Sequence, residues 1–266
     1  MIEEIALRGQ VNGAELHNPV LRQLQRTATD LGTSYARTLV AERERDGAYR
    51  ALIRKLSAIA ALRHGETGKH IERVGVLASH LAALAAQSPE YCATILQAAP
   101  LHDIGKILIP DHILKKPGAL SETEREIMAL HVEAGVLLLD GSAHPVLIMA
   151  KEIAQHHHER WDGKGYPRGT SGSDIPLCAR IAALVDVFDA LSTDRVYRAA
   201  LPRAEVISIL TRGVGTHFDP QLATTLLDRF EEFSHLRDCV DLRSEDVRGP
   251  IVDEEVIALG QRLKGR

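Results

Sequence analysis

Apolar residues recur at the three- and four-residue spacing of a helix along most of this chain, and no stretch alternates in the two-residue rhythm of a half-buried strand. Leu21, Leu24, Leu31, Tyr35 and Leu39, then Leu52, Ile53, Leu56 and Ile59, set the pattern between about 20 and 62. A helix carrying His70, Val74, Leu77 and Leu81 follows, and another spans about 92–104 and stops near Gly105. Ser121-Glu122-Thr123-Glu124 is a capping box that opens a helix ending at Asp140-Gly141. Further helices lead into His156, start at Pro176 and run to about Leu191, cover 203–213, and open at Phe218-Asp219-Pro220. Hydrophobic residues make up 45% and aromatic residues 4%, so the core is built mainly from Leu, Ile, Val and Ala. That composition favours packed helices over a sheet, and the expected fold class is all-α.

Three regions are expected. Residues 1–62 form an N-terminal helical region, read as a dimer stalk or linker, with one more packed helix as the plainer alternative. Residues 63–232 carry the chemistry, and 233–266 is a charged tail of surface helix and loop. The formal net charge of -4 excludes a non-specific nucleic-acid binder, so an anionic substrate must find local cations. Cys92, Cys178 and Cys239 lack any C-x-x-C spacing and read as reduced thiols of a cytoplasmic protein. The acidic N-terminus does not read as a signal peptide, and no apolar run approaches the roughly 20 residues of a membrane span.

Several polar residues sit where a helical core should be apolar. Glu66 and His70 are four apart on one helical face that continues through Val74, Leu77 and Leu81. A capping Glu and a core His would look the same. His102-Asp103 is a polar doublet inside Leu101-His102-Asp103-Ile104-Gly105-Lys106, able to flank a site with its carboxylate between two ions. A salt-bridged pair is the alternative. His131 shares an inner stripe with Ile127, Ala134 and Leu138, where a satisfied core histidine is also common. His156-His157-His158, leading into a glycine-rich turn, is poor core material and good metal-ligand material. Asp186 lies on a helix face with Ala179, Ala182, Ala183 and Ala190, where a buried carboxylate needs a metal or an arginine.

Together these positions offer more ligands than one zinc ion takes, and suit two or three ions. Mixed imidazole and carboxylate ligands favour iron, manganese or zinc over calcium or magnesium. Such a centre ionises water and stabilises both oxygens of an in-line phosphodiester displacement. Lys106, Arg195 and Arg198 are candidate cations for phosphate oxygens, with ordinary surface arginines as the plainer alternative.

The ordered series from Glu66-Thr67-Gly68-Lys69-His70 through His102-Asp103-Ile104-Gly105-Lys106, Lys116-Pro117-Gly118, His157-His158-Glu159, Asp162-Gly163, Gly165-Tyr166-Pro167, Ala179-Arg180-Ile181, Asp186, Asp189-Ala190-Leu191 and Phe218-Asp219-Pro220 resembles the HD-GYP family of the HD phosphohydrolase superfamily. The resemblance covers 63–232. It implies an HD-domain helical bundle and hydrolysis of cyclic di-GMP to pGpG, GMP or both. The ligands it implies are Glu66, His70, His102, Asp103, His131, His157, His158 and Asp186, leaving His156 outside. Asp103 would bridge two ions, and Lys106 would assist at the scissile phosphate. Arg195 and Arg198 would hold substrate phosphates, and Tyr166 would line the guanine side. The loop around Tyr166 is implied to contact diguanylate cyclase (GGDEF) domains. Glu66 points to a third divalent ion, with iron or manganese expected. The resemblance departs upstream, where 1–62 is too short for the sensory or receiver domain that many relatives carry.

Direct in-line hydrolysis without a covalent intermediate follows from these residues, since no Ser or Cys nucleophile motif competes. Two other readings stand beside it. One is an HD phosphohydrolase acting on another nucleotide or cyclic dinucleotide. The other is a signalling module that binds cyclic di-GMP or a cyclase and turns over little.

Overall fold

Pro19 opens helix α1 (Pro19–His64) in a computed structural model that describes residues 19–64, 68–194 and 199–242. Two compact units divide the chain at residues 52 and 53. In the first, Leu31 and Tyr35 are 70% and 65% exposed. In the second, Ile53, Ser57 and Ala60 are buried, and the Arg63 guanidinium donates to the Ile109 carbonyl at 2.9 Å.

Helix α2 (Gly68–Leu84) is buried at every residue of 73–82, and Val74, Leu77, Ala78 and Leu81 are fully buried. A helix buried on all its faces lies in the centre of a bundle. Helix α3 (Pro89–Ala98) packs against it, started by Ser88, whose hydroxyl accepts from the Tyr91 amide. The helix expected through residue 104 stops early. Pro100 has no amide hydrogen with which to continue the ladder, and the chain tightens into two 3-10 segments, Ala99–Leu101 and Ile104–Leu108. His102 and Asp103 therefore lie in the turn between those segments rather than on an α-helix.

A short helix α4 (Asp111–Leu114) precedes α5 (Glu122–Ala129), where both halves of the Ser121/Glu124 capping box are formed. The single helix expected from here to Asp140 is interrupted at Leu130, and α6 (His131–Leu139) starts on His131. Helix α7 (Pro145–His156) ends at the histidine run. Helix α8 (Leu177–Ser192) starts one residue after Pro176, and packs on α2 and α7. Helix α9 (Arg203–Gly213) and helix α10 (Pro220–Asp228) follow, the latter capped by Asp219, which accepts from the Gln221 and Leu222 amides. No sheet forms among the described residues; an isolated bridge joins Val214 and Phe218. The three cysteines form no disulfide.

Helix α11 (Phe230–Leu242) packs on α2. Its Phe233, Leu236 and Val240 recur at helical spacing and are buried. Phe188 of α8 meets Phe230 and Phe233 edge-to-face, with ring centroids 5.5 and 6.1 Å away. Such pairs add to the area-based gain of burying large rings.

One close approach sets up the site. A Cβ on Gly105 would lie 1.9 Å from the His131 carbonyl oxygen and 2.4 Å from the Gly135 nitrogen. Only glycine lets the second 3-10 segment press onto α6, and this contact brings Asp103 beside His131.

Two stability predictions follow from this packing. Phe233→Ala is expected to lower the unfolding free energy by about 3–5 kcal/mol, while Leu242→Ala, at an 83% exposed position, changes it by no more than about 0.5 kcal/mol. Gly105→Ala is expected to cost at least about 1–3 kcal/mol by overpacking. Gly47→Ala, with nothing within 4 Å of its new Cβ, should stabilise by about 0.5–1 kcal/mol. Urea titration of the four variants against the wild type reads all of these, and a Gly105→Ala protein as stable as the wild type would contradict the close approach.

Candidate metal centre

Seven of the residues singled out in the sequence come together in two adjoining groups. Asp103, His131, His157 and His158 form one, and His70, His102 and Asp186 the other. Within each group, one ligand-type atom from every residue lies within 4.8 Å of the others. Asp103 lies between the groups: its Oδ1 is 3.3 Å from His131 Nε2 and 3.6 Å from His157 Nε2, and its Oδ2 is 3.2 Å from His102 Nε2. Asp186 Oδ1 lies 3.7 Å from His70 Nε2 and 3.9 Å from His102 Nε2. His156 stands apart, its Nδ1 on the Glu152 carbonyl at 3.0 Å. Glu66, Arg195 and Arg198 lie outside the described residues.

The hydrogen bonds on the far side of each ring fix what the near side offers. His102 Nδ1 lies 2.9 Å from the Ala99 carbonyl, and His131 Nδ1 lies 2.7 Å from that of Met128. His157 Nδ1 lies 3.1 Å from the carbonyls of Ile153 and Ala154, and His70 Nδ1 lies 2.8 Å from Asp189 Oδ2. A carbonyl or carboxylate can only accept, so in each ring Nδ1 carries the hydrogen and donates. In the neutral ring, the lone pair is then on Nε2. Burial pushes His131 down to about 4 despite the nearby Asp103 charge, and it pushes His158 down further. His131 and His158 are therefore neutral at ordinary pH.

Nε2 of His131 and Nε2 of His157 therefore face each other as lone pairs across 3.5 Å, beside an anionic oxygen. Asp103 is buried, and its Oδ1 accepts no hydrogen bond. Burial alone would raise its carboxyl, but the charge of Lys106 holds it well below the usual carboxylate range. Lone pairs and carboxylate oxygens converging in a buried pocket repel unless a cation sits among them. The donor set fits a divalent ion in each group, with imidazole and carboxylate ligands of the kind iron, manganese or zinc accept.

Around this pocket the remaining named residues take distinct places. Lys106 Nζ reaches Asp103 Oδ2 at 2.5 Å. Tyr166 is 38% exposed and stacks on His158, with centroids 4.7 Å apart and planes 20° from parallel. Burial and the Asp103 charge push its phenol up to about 12, so it remains neutral. The loop carrying it is pressed close: a Cβ on Gly165 would lie 2.5 Å from Glu159 Cα, the Arg160 nitrogen and the His158 carbonyl oxygen. Buried Glu159 accepts from the Arg168 amide at 2.8 Å and pins the loop on its far side.

The supporting residues were not assigned roles from sequence. Asp189 is buried on α8, three residues from Asp186, and takes two hydrogen bonds from Arg73 at 2.5 and 2.9 Å as well as the one from His70. Burial alone would raise its carboxyl, but His70 and Arg73 hold it down. Arg73 lies three residues after His70, one helical turn along the same face, and that spacing was the available signal.

Comparison with known proteins agrees with this architecture. The chain is 42% identical over 186 residues to the 3′3′-cGAMP-specific phosphodiesterase 2 of Vibrio cholerae, covering 70% of this chain and 36% of that one. It is 39% identical over 244 residues to a cyclic di-GMP phosphodiesterase of the same organism, covering 85% of this chain and 47% of that one. It is 41% identical over 179 residues to the cyclic di-GMP phosphodiesterase of Thermotoga maritima, covering 67% of this chain and 49% of that one. The chain thus spans about half the length of these relatives, or less. A crystal structure of a cyclic GMP-AMP specific phosphodiesterase from V. cholerae shares the fold, with a TM-score of 0.54 at 18% identity, over 79% of this chain and 53% of that one. A family model for the HD domain matches residues 54–222, which contain all seven clustered residues and their Asp189–Arg73 support, and the chain belongs to the HD domain family.

Proposed function

We propose that this chain is a metal-dependent phosphodiesterase that opens a cyclic dinucleotide, cyclic di-GMP in the first place, to pGpG, GMP or both. The observation that carries this reading is the convergence of imidazole Nε2 lone pairs on Asp103 and Asp186 in one pocket. The cyclic di-GMP phosphodiesterases among its relatives support the substrate class.

In this reading the metal ligands are His70, His102, Asp103, His131, His157, His158 and Asp186, with Glu66 supplying a third position. The two clusters support two divalent ions and Glu66 a third, iron or manganese being favoured by the donor set. When bound, such ions ionise water and offset charge on the attacking and leaving oxygens. Asp103 spans both groups and fixes their separation. Lys106, held at the rim by Asp103, holds the scissile phosphate, and Arg195 and Arg198 take the other phosphate oxygens. Tyr166 presents its ring to a guanine. The loop around it is a contact for a diguanylate cyclase (GGDEF) domain, which would place breakdown beside synthesis, in the cytoplasm.

Residues 63–232 form the HD-GYP catalytic region in this reading, with 233–266 as its tail. Residues 1–62 serve as a stalk or linker; exposed Leu31 and Tyr35 support a homodimer there. Among the described residues, no helix is long and apolar enough to cross a membrane.

A second substrate reading, 3′3′-cGAMP, is favoured by the 42% identity to a phosphodiesterase specific for it. The test is incubation of anaerobically purified, metal-replete protein with each dinucleotide, products being resolved by chromatography. Cyclic di-GMP should be hydrolysed, and Asp103→Ala should slow this at least about a hundredfold. Cleavage of 3′3′-cGAMP alone would transfer the substrate to the second reading. Activity equal in the Asp103→Ala protein would remove the proposed role of the centre.

A further inference from the structure

We propose that Asp241, near the end of α11, is a positioning residue for the cluster of His70, His102 and Asp186, acting through Arg73 and Asp189. The inference rests on that cluster being a metal site.

The relay is continuous. His70 Nδ1 donates to Asp189 Oδ2 at 2.8 Å. Arg73 grips the same carboxylate from the other side, Nε on Oδ1 at 2.5 Å and Nη2 on Oδ2 at 2.9 Å. The third guanidinium nitrogen, Nη1, donates to Asp241 Oδ1 at 2.7 Å. Arg73 is only 3% exposed, and so depends on these two carboxylates for compensation of its charge. The Asp241 backbone is fixed in turn by Lys69, the neighbour of His70, whose Nζ donates to its carbonyl at 2.7 Å.

A buried guanidinium shared between two carboxylates neutralises each only in part. Asp189 then keeps enough negative charge to make the His70 ring a stronger donor toward a cation, and the fork geometry fixes how that ring is turned. With Asp241 neutralised, the whole guanidinium charge falls on Asp189. The field at His70 weakens, and the guanidinium loses its anchor on the side away from Asp189. Groups that orient a ligating histidine typically change metal affinity about ten- to hundredfold. Asp241 acts one residue further out, so an effect of about tenfold is expected. It should be confined to one cluster, because none of the contacts in this relay involves His131, His157 or His158.

The test is titration of the metal-free, full-length chain with Mn²⁺ by calorimetry and equilibrium dialysis. The wild type, Asp241→Asn, Asp241→Glu and Asp186→Asn are compared, with thermal melting of each. Asp186→Asn removes a ligand from one cluster only, and so identifies the binding step that belongs to it. Asp241→Asn should weaken that same step about tenfold, leave the other step within about twofold, and melt close to the wild type; Asp241→Glu should restore affinity. Unchanged affinity in Asp241→Asn, with both steps present in the wild type, would overturn the inference and leave the metal centre standing. Equal weakening of both steps would show a general structural role and overturn it too. No Mn²⁺ binding by the wild type would overturn the metal centre and the inference together.

Discussion

Outward donation by the ring Nδ1–H groups governs this site, because it decides the tautomer of each histidine and so the direction of each lone pair. A neutral imidazole has one donor and one acceptor. Once the donor is held by a carbonyl or carboxylate, the acceptor is aimed, and in His70, His102, His131 and His157 it is aimed inward. Asp103 and Asp186 add anionic oxygens to the same small volume. Left alone, this would be an expensive arrangement, since the buried Asp103 carboxylate and the facing lone pairs repel in a low dielectric. A cation in each group turns the same arrangement into a favourable one. The repulsion is thus informative: it marks where positive charge belongs.

The helix breaks supply the acceptors that make this possible. An α-helix leaves its last carbonyls without intrahelical partners. The carbonyls that hold His131 and His157 come from the ends of α5 and α7, and Ala99, which holds His102, lies in the 3-10 turn that follows α3. Each of these ligands sits just beyond a helix end, where a carbonyl three or four residues back in the chain accepts from the ring, Ala99 and Ile153 each taking a backbone amide as well. His70 is the exception. It lies in the first turn of α2, where the spare backbone groups are donors. Its Nδ1 donates to a side chain instead, the Asp189 carboxylate. A buried carboxylate at that place needs Arg73 in turn. The polar network spanning α2, α8 and α11 follows from the position of one histidine in its helix.

Much of this was legible in the sequence. The all-helical composition, the His102-Asp103 doublet, the histidine run and Asp186 on its small-residue face all pointed to ligands, and seven of the eight named fall into the two clusters. Glu66, Arg195 and Arg198 lie outside the described residues. What periodicity missed were the interruptions. A helix read to residue 104 ends at Ala98 because Pro100 breaks the ladder, and the break at Leu130 leaves no mark in the apolar stripe on either side of it. The Asp189–Arg73 pair is separated by 116 positions, and no local pattern reports it. The stretch after 232 looked like surface because Arg237, Asp238 and Asp241 crowd it, although Phe233, Leu236 and Val240 give it a buried face. Charge density masked a narrow apolar stripe.

The same economy of contacts ties the glycine-rich loop to the ligands. Its entry is held by the Trp161 and Asp162 amides, which donate to the His217 and Thr216 carbonyls at 3.1 and 2.8 Å. Its far side is held by Arg168 on Glu159, and Gly165 passes so close over Glu159 that no larger residue fits. Between these anchors Tyr166 lies flat on His158. The ring proposed to meet a base therefore rests directly on a ring proposed to hold an ion. A loop fixed at both ends has little freedom to move Tyr166 without moving His158, so a ligand that presses on the tyrosine would bear on the metal centre through one stacked contact.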